Sequence, residues 1–224
     1  SGQAPAGELN ESSCSLSGAT RVLQDSHSYR SKKYSISSLI FLSSSTHTHK
    51  QPPPALIAVL TEETNDFFDL IIVDLPDPRN VELSRLYSKE FYELCNIKLT
   101  PNGGMITQAG SPYYTPYAYQ CIKKTMASAN FTTLSLHNQI LTMGEWGWIA
   151  GTKRKTSKEE IEKTLHKFDS NKIQTKWLNK EAMNLITSFG KEFYKKNLND
   201  SIEVNQISNP VLYHYYNKGN WDTY

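Results

Sequence analysis

Cysteine is scarce in this 224-residue chain: Cys14, Cys95 and Cys121 form an odd set with no C-x-x-C spacing. A disulfide scaffold and a thiolate zinc site are therefore excluded as organising principles. An excess of charge is lacking too. Lys plus Arg number 24 against 22 Asp plus Glu, a formal charge of +2. That balance argues against a charge-driven nucleic-acid binder, and no nucleic-acid partner is expected. Long apolar runs are absent as well. The longest, Pro54 to Leu60 and Leu70 to Val73, fall far short of the ~20 residues that cross a bilayer. No targeting signal is visible, and Ser1-Gly2 reads as a cleavage scar. A membrane segment is expected only if upstream sequence was removed, and the default compartment is reducing and cytoplasmic.

What is present is aromatic. Thirteen Tyr, 8 Phe and 4 Trp point to pockets or interfaces rather than plain core. The length suffices to bury roughly two-thirds of the unfolded surface without staples. Residues 1–54 hold 14 serines and the run Ser43 to Pro54, SSSTHTHKQPPP, a composition of linkers or atypical segments. One exception, Tyr34 to Leu42, suits a strand or a buried piece. His47 and His49 lack nearby carboxylates or thiols, so they read as a polar loop, and no metal is expected.

From Ala55 the texture becomes α/β. The run ALIAVL is followed by an acidic turn, Thr61 to Asp66, and then by FDLIIVDLPDP, Phe68 to Pro78. An apolar strand with carboxylates at its carboxyl end is the pattern of a buried parallel strand. Leu83, Leu86, Tyr87, Phe91, Leu94 and Cys95 recur at three and four, predicting one helix over 81–99. A turn at Pro101 to Gly104 precedes a strand, Met105 to Ala109. A helix over Pro116 to Ser128 has proline at its start. Strands over 131–143 and 146–150 are expected to pair across Gly144. This order is the second half of a doubly wound sheet: a Rossmann-like, methyltransferase-type three-layer fold, incomplete at its N-terminal half. Thr156 and Glu159 fit a capping box, and a later helix over 177–189 would stop at Gly190. The expected organisation is an atypical region (1–54), an α/β half-domain (55–151) and a helical, aromatic extension packed on it (152–224).

The chemistry concentrates at Asp74 to Pro78. Two carboxylates three residues apart leave the end of a central strand, where open sheets place ligands. Asp77, before a proline, could instead form the turn or cap the next helix. Asp74 follows Ile-Ile-Val, where a carboxylate is costly unless it meets water, a cation or hydrogen bonds. Such a pair suits a cationic substrate, or an ammonium that must lose a proton before attacking.

FDLIIVDLPDP, RLYSKEFYELC (Arg85 to Cys95), LTPNGGMITQAGSPYY (Leu99 to Tyr114), GEWGWIAG (Gly144 to Gly151), WLNKEAM (Trp177 to Met183) and VNQISNPVLYHYYNKGNW (Val204 to Trp221) together resemble the aminopropyltransferases of polyamine synthesis, typified by spermidine synthase. They stand in family order over about Phe67 to Trp221. The resemblance implies transfer of an aminopropyl group from decarboxylated S-adenosylmethionine to putrescine or a similar polyamine, releasing methylthioadenosine. The nucleoside is a donor substrate and no further cofactor is implied. By resemblance, Asp74 is the catalytic base, Asp77 its companion near the acceptor amine, and Gln108 a lining residue of the acceptor pocket. Tyr113 and Tyr114 would wall the slot, and Leu75 and Pro78 would lie on the adenosyl side. A homodimer is implied by many relatives. Met143 stands near the position of a gate tyrosine, and His137 reads as structural.

The chain departs from the family upstream. No Gly-rich turn, no acidic residue after a second strand and no adenine-contacting pair can be read in Ser1 to Asp66; Gly18 is alone and Asp25 does not follow a strand. Two alternatives therefore stand beside the aminopropyltransferase: a non-catalytic relative that binds a polyamine or a partner chain, and another S-adenosylmethionine-dependent small-molecule transferase.

Overall fold

The computed structural model describes residues 39–43, 67–142, 144–169, 171–173, 175–176, 178–194 and 201–221. Five strands form one sheet in the order β1-β2-β3-β5-β4: β1 Leu39–Ser43, β2 Phe68–Asp74, β3 Leu99–Gly110, β4 Thr132–Ile140 and β5 Gly144–Thr152. The first three run parallel, with Leu42 opposite Val73 and Val73 opposite Thr107. β5 lies antiparallel to both β3 and β4. The parallel half carries the apolar runs and the antiparallel hairpin turns at Gly144, whose φ of +70° suits glycine. This is the Rossmann-like half-sheet expected from the sequence. Its first strand falls within 1–54, in the one stretch there with strand character. The ALIAVL run, His47, His49, Met143 and Trp177 lie outside the described residues, as do Lys195 and Lys196, which with Lys191 read in the sequence as a solvated face.

The helix expected over 81–99 is two helices. α1 (Val81–Arg85) is capped by Asn80, and α2 (Lys89–Lys98) by Ser88, whose hydroxyl accepts the Phe91 N–H. Ser88 is extended, at φ −78° and ψ 160°, and the backbone groups freed by the break are met from outside. The Asn205 carbonyl takes the Lys89 N–H at 2.8 Å, and the Asn205 amide donates to the carbonyls of Ser84 at 2.7 Å and Tyr87 at 3.0 Å. A distant loop thus satisfies the groups that a continuous helix would have bonded internally. Leu99 consequently belongs to β3, and Pro101 to Gly104 is an irregular start of that strand rather than a separate turn. A Cβ on Gly103 would lie 3.0 Å from the Phe68 and Thr100 carbonyls.

α3 (Pro116–Ser128) lies flush on β5: a Cβ on Gly147 would come within 2.4 Å of the Tyr119 ring, and one on Gly151 within 2.4 Å of Met126. Tyr119, Ile122 and Met126 join Ile71, Phe91, Tyr92, Cys95 and Ile149 in one core. Burial pushes the Cys121 thiol up to about 12 and that of Cys95 higher still, so both act as small apolar residues.

α4 (Lys158–Leu165) starts one residue later than the capping box suggested. Ser157 accepts the Glu160 N–H at 3.2 Å, while the Thr156 hydroxyl bonds the Glu160 carboxylate. α5 (Lys180–Ile186) is capped by Asn179 and ends at Thr187, before Gly190. The hydroxyls of Thr187 and Ser188 both bond the Asn184 carbonyl, competing with helix continuation. A 3-10 turn, Lys191–Tyr194, precedes α6 (Leu212–Asn217). α4 and α5 pack on β4, whereas α6 packs on α3 and α1, which brings the aromatic C-terminal segment to the carboxyl end of β2.

Candidate functional site

β2 ends at Asp74, which is solvent-exposed and sits in register with Ser43 of β1. Among the described residues its carboxylate receives no hydrogen bond or ion pair. Asp77 differs. Its side chain is 16% exposed, takes a hydrogen bond from the Tyr216 hydroxyl at 2.8 Å, and meets the Arg79 guanidinium at 3.3 Å. Burial and the Asp77 charge hold the Tyr216 phenol above its ordinary range, so the hydroxyl stays protonated and donates. Asp77 does not cap the next helix; Asn80 does, accepting the Leu83 N–H at 2.9 Å.

Between the two carboxylates the chain is pinned from below. The Tyr87 hydroxyl lies 3.0 Å from the Leu75 carbonyl and 3.1 Å from that of Pro76. Gln108, near the end of β3, donates its amide to the Leu75 carbonyl and, at 3.1 Å, to the Tyr87 oxygen. Tyr87 is fully buried, and burial first, then Tyr92, Asp77 and Asp74, drive its phenol well above the usual range. A neutral phenol there fixes the loop geometry without adding charge.

Asp74, Asp77 and Gln108 are therefore gathered at one edge, as expected from strand order. Both hydrogen bonds of the Gln108 amide go to protein groups, and among the described residues no donor reaches its Oε1. Leu75 and Pro78 are buried, turning their side chains into the interior. Tyr113 is 45% exposed and Tyr114 half-buried just past β3, where the Ser111 hydroxyl accepts both of their N–H groups at 3.3 and 3.2 Å. Tyr113 meets the His137 ring edge-on with centroids 6.1 Å apart. His137 bridges the Glu145 carboxylate and the Ser188 carbonyl, tying β4, β5 and the end of α5 together.

Three residues that organise the site were visible only as pattern members. Tyr87 stood in a helical stripe, Tyr216 in an aromatic tail and Asn205 in the VNQISNP segment. A polar residue in a helix stripe was the available signal for Tyr87; the run Val204-Asn205-Gln206 carried none for Asn205. Among the described residues no group of His, Cys, Asp or Glu could hold a metal ion, and no helix is long and apolar enough to cross a membrane.

The edge thus presents one exposed carboxylate, Asp74, and one clamped carboxylate, Asp77. Comparisons with known proteins bear on the same segment. Residues 57–164 match the family model described as the spermine/spermidine synthase domain. Polyamine aminopropyltransferase of Oceanobacillus iheyensis is 34% identical over 163 residues, covering 73% of this chain and 30% of its own length. Polyamine aminopropyltransferase 2 of Aquifex aeolicus is 36% identical over 157 residues, covering 70% and 29%. The chain thus spans about 30% of the length of these curated relatives. The crystal structure of spermidine synthase from Thermotoga maritima aligns with a TM-score of 0.44 at 20% identity, over 59% of this chain and 43% of that one.

Proposed function

We propose that this chain, whose residues 57–164 match the spermine/spermidine synthase family, carries the acceptor side of an aminopropyltransferase. The reaction moves an aminopropyl group from decarboxylated S-adenosylmethionine to putrescine or a similar polyamine. The observation that carries the reading is the unequal carboxylate pair: Asp74 exposed and, among the described residues, unpartnered, Asp77 clamped by Tyr216 and Arg79.

An amine of pKa near 10 is almost wholly protonated at neutral pH and has no lone pair to offer. Asp74 takes the proton as the nitrogen attacks the carbon next to the sulfonium. The N–C bond forms, the C–S bond breaks, its electron pair goes to sulfur, and methylthioadenosine leaves neutral. Sulfonium is already a good leaving group, so orientation contributes more than acid catalysis at the leaving end. Asp77, clamped by Tyr216 and Arg79, holds the ammonium electrostatically, while the Tyr87–Gln108 pair fixes the backbone between the two acids. Gln108 Oε1 and the Tyr113 and Tyr114 rings form the acceptor wall. Leu75 and Pro78 support the adenosyl side from the interior.

A second reading, polyamine binding without transfer, is favoured by one feature: Ser1 to Asp66 contains no G-G-G-D-G-like turn for the donor's nucleoside end. Calorimetric titration with methylthioadenosine and then putrescine separates the two, followed by a turnover assay with decarboxylated S-adenosylmethionine. Saturable binding of both ligands and methylthioadenosine release support transfer. Putrescine binding alone, in a folded chain, supports the second reading, and binding of neither ligand overturns both.

A further inference from the structure

Residues 216–221 touch both of the loops that flank the carboxylate edge. On the β2 side, the Tyr216 hydroxyl bonds the Asp77 carboxylate at 2.8 Å, and the Asn217 side-chain amide donates to the Arg79 carbonyl at 3.2 Å. On the β3 side, the Asn220 N–H donates to the Tyr114 carbonyl at 2.8 Å. Gly219 lies between these contacts and is seated against Thr115. A Cβ there would come within 2.6 Å of the Thr115 methyl and 2.9 Å of the Trp221 indole nitrogen.

Both partners in this contact are held stiffly. Thr115 is 0% exposed, and its hydroxyl and N–H both bond the Ser111 carbonyl, at 2.9 and 3.0 Å. That fixes the rotamer of its β-branched side chain. The turn is closed on itself, because the Trp221 indole N–H and the Gly219 N–H both donate to the Tyr216 carbonyl, at 3.1 and 3.0 Å. A closed turn joined to two separate loops is a strut, and its length fixes their separation. We propose that residues 216–221 are a spacer that sets the gap between Asp77 and the Tyr113–Tyr114 wall, and thereby the length of diamine accepted. This rests on the acceptor site proposed above and adds the element that measures its substrate. With one ammonium held at Asp77, the gap to the tyrosine rings decides how many methylene groups fit. Gly219 is a positioning residue: it acts through the two loops.

Gly219→Ala tests the spacer, because the buried Thr115 cannot yield and the added methyl pushes the turn away from it, opening the gap. Diaminopropane, putrescine and cadaverine, diamines of three, four and five carbons, are titrated calorimetrically into the full wild-type and variant chains. The affinity ratio of cadaverine to putrescine should rise about tenfold, the low end of what one methylene decides in a fitted pocket. A merely structural effect would weaken all three diamines alike and leave the ratio unmoved. Thr115→Ser removes the obstructing methyl and keeps the hydroxyl for Ser111. The double variant Thr115→Ser/Gly219→Ala should therefore move the ratio back toward that of wild type. An unchanged ratio in a folded Gly219→Ala chain overturns the spacer and leaves the acceptor site standing. If Gly219→Ala does not fold, Asn217→Ala takes its place, since it removes only an exposed bond to the β2 loop. Convergence of the three affinities then supports the spacer, and unchanged ratios overturn it. A wild-type chain that binds none of the three diamines overturns the acceptor site, and the spacer with it.

Discussion

The Asn205 hub and the Asp74 edge are both rich in polar groups, and they differ in what each has left over. At Asn205 everything is used. The side chain donates to two carbonyls, and its oxygen accepts from the Ser84 hydroxyl and the Leu212 N–H. Its own N–H goes to Thr125 and its carbonyl to Lys89. The residue is 0% exposed, so such completeness is what burial demands. At the edge, Asp74 is exposed and, among the described residues, no protein donor meets its carboxylate. A closed network rigidifies, whereas an open one can meet a ligand. The proximity of the two links them, because Tyr87 offers its carbonyl to Asn205 and its hydroxyl to the loop between Asp74 and Asp77.

The largest expected effect separates the two cleanly. Asp74→Asn should lower turnover by about 10²–10⁴-fold, the range of a lost general base, while the melting temperature stays within about a degree, since an exposed carboxylate with no partner among the described residues adds little to stability. Steady-state methylthioadenosine release alongside a thermal melt reads both numbers. Unchanged turnover would remove Asp74 from the role of base.

Asn205→Ala should do the reverse. Truncation strands the carbonyls of Ser84 and Tyr87 and the N–H of Leu212 in the interior. We expect a loss of about 3 kcal/mol, summing modest costs for each orphaned group. For a domain of this size that is a fall of roughly 6–12 °C in melting temperature. At low temperature, where the chain is still folded, putrescine affinity should change by less than about threefold if the hub acts only through stability. A large affinity loss in a folded Asn205→Ala chain would mean that the hub sets the position of the edge, and the contrast between them would narrow.

Tyr216→Phe sharpens the comparison within the edge itself. It removes one neutral donor from Asp77 and leaves Arg79 in place. A single hydrogen bond to a charged group is worth about 1.5–3 kcal/mol, part of which water restores. Acceptor affinity should fall about three- to tenfold with kcat changed less, because in the proposed reaction the proton passes to Asp74. A fall in kcat with unchanged affinity would exchange the roles assigned to the two acids.

The legible and illegible parts of this molecule follow the same division. The strand order and the Asp74/Asp77 pair could be read because they depend on local pattern: an apolar strand, its polar end and the crossover that follows. The split of the helix over 81–99 could not, because the groups that permit it come from Asn205, more than a hundred residues away. The clamp on Asp77 was hidden for the same reason. Tyr216 reaches it only because α6 packs on α1 and α3, and sequence spacing carries no trace of that contact. Where a hydroxyl or amide near a helix end faced its own chain, the expected boundary moved by a residue or a few, as at Ser157 and Thr187.

The smallest effect lies on α3, in the cleft lined by Gln120, Lys123, Lys124, Ala127 and Thr133. Burial, aided by Lys158, lowers the Lys123 amine to about 8 from an ordinary 10.5. Between those values the unfolded chain binds more protons than the folded one, so stability rises with pH across that window. Below about pH 8 the folded state carries the full cost of a charged amine in the cleft, and above about 10.5 it carries none. Lys123→Gln should therefore melt slightly higher than wild type at pH 7, and the advantage should shrink as pH rises from 8 to 10.5. A variant that melts lower than wild type at pH 7 would mean that the amine is satisfied in the folded state, and the cleft would then resemble the Asn205 hub rather than the edge.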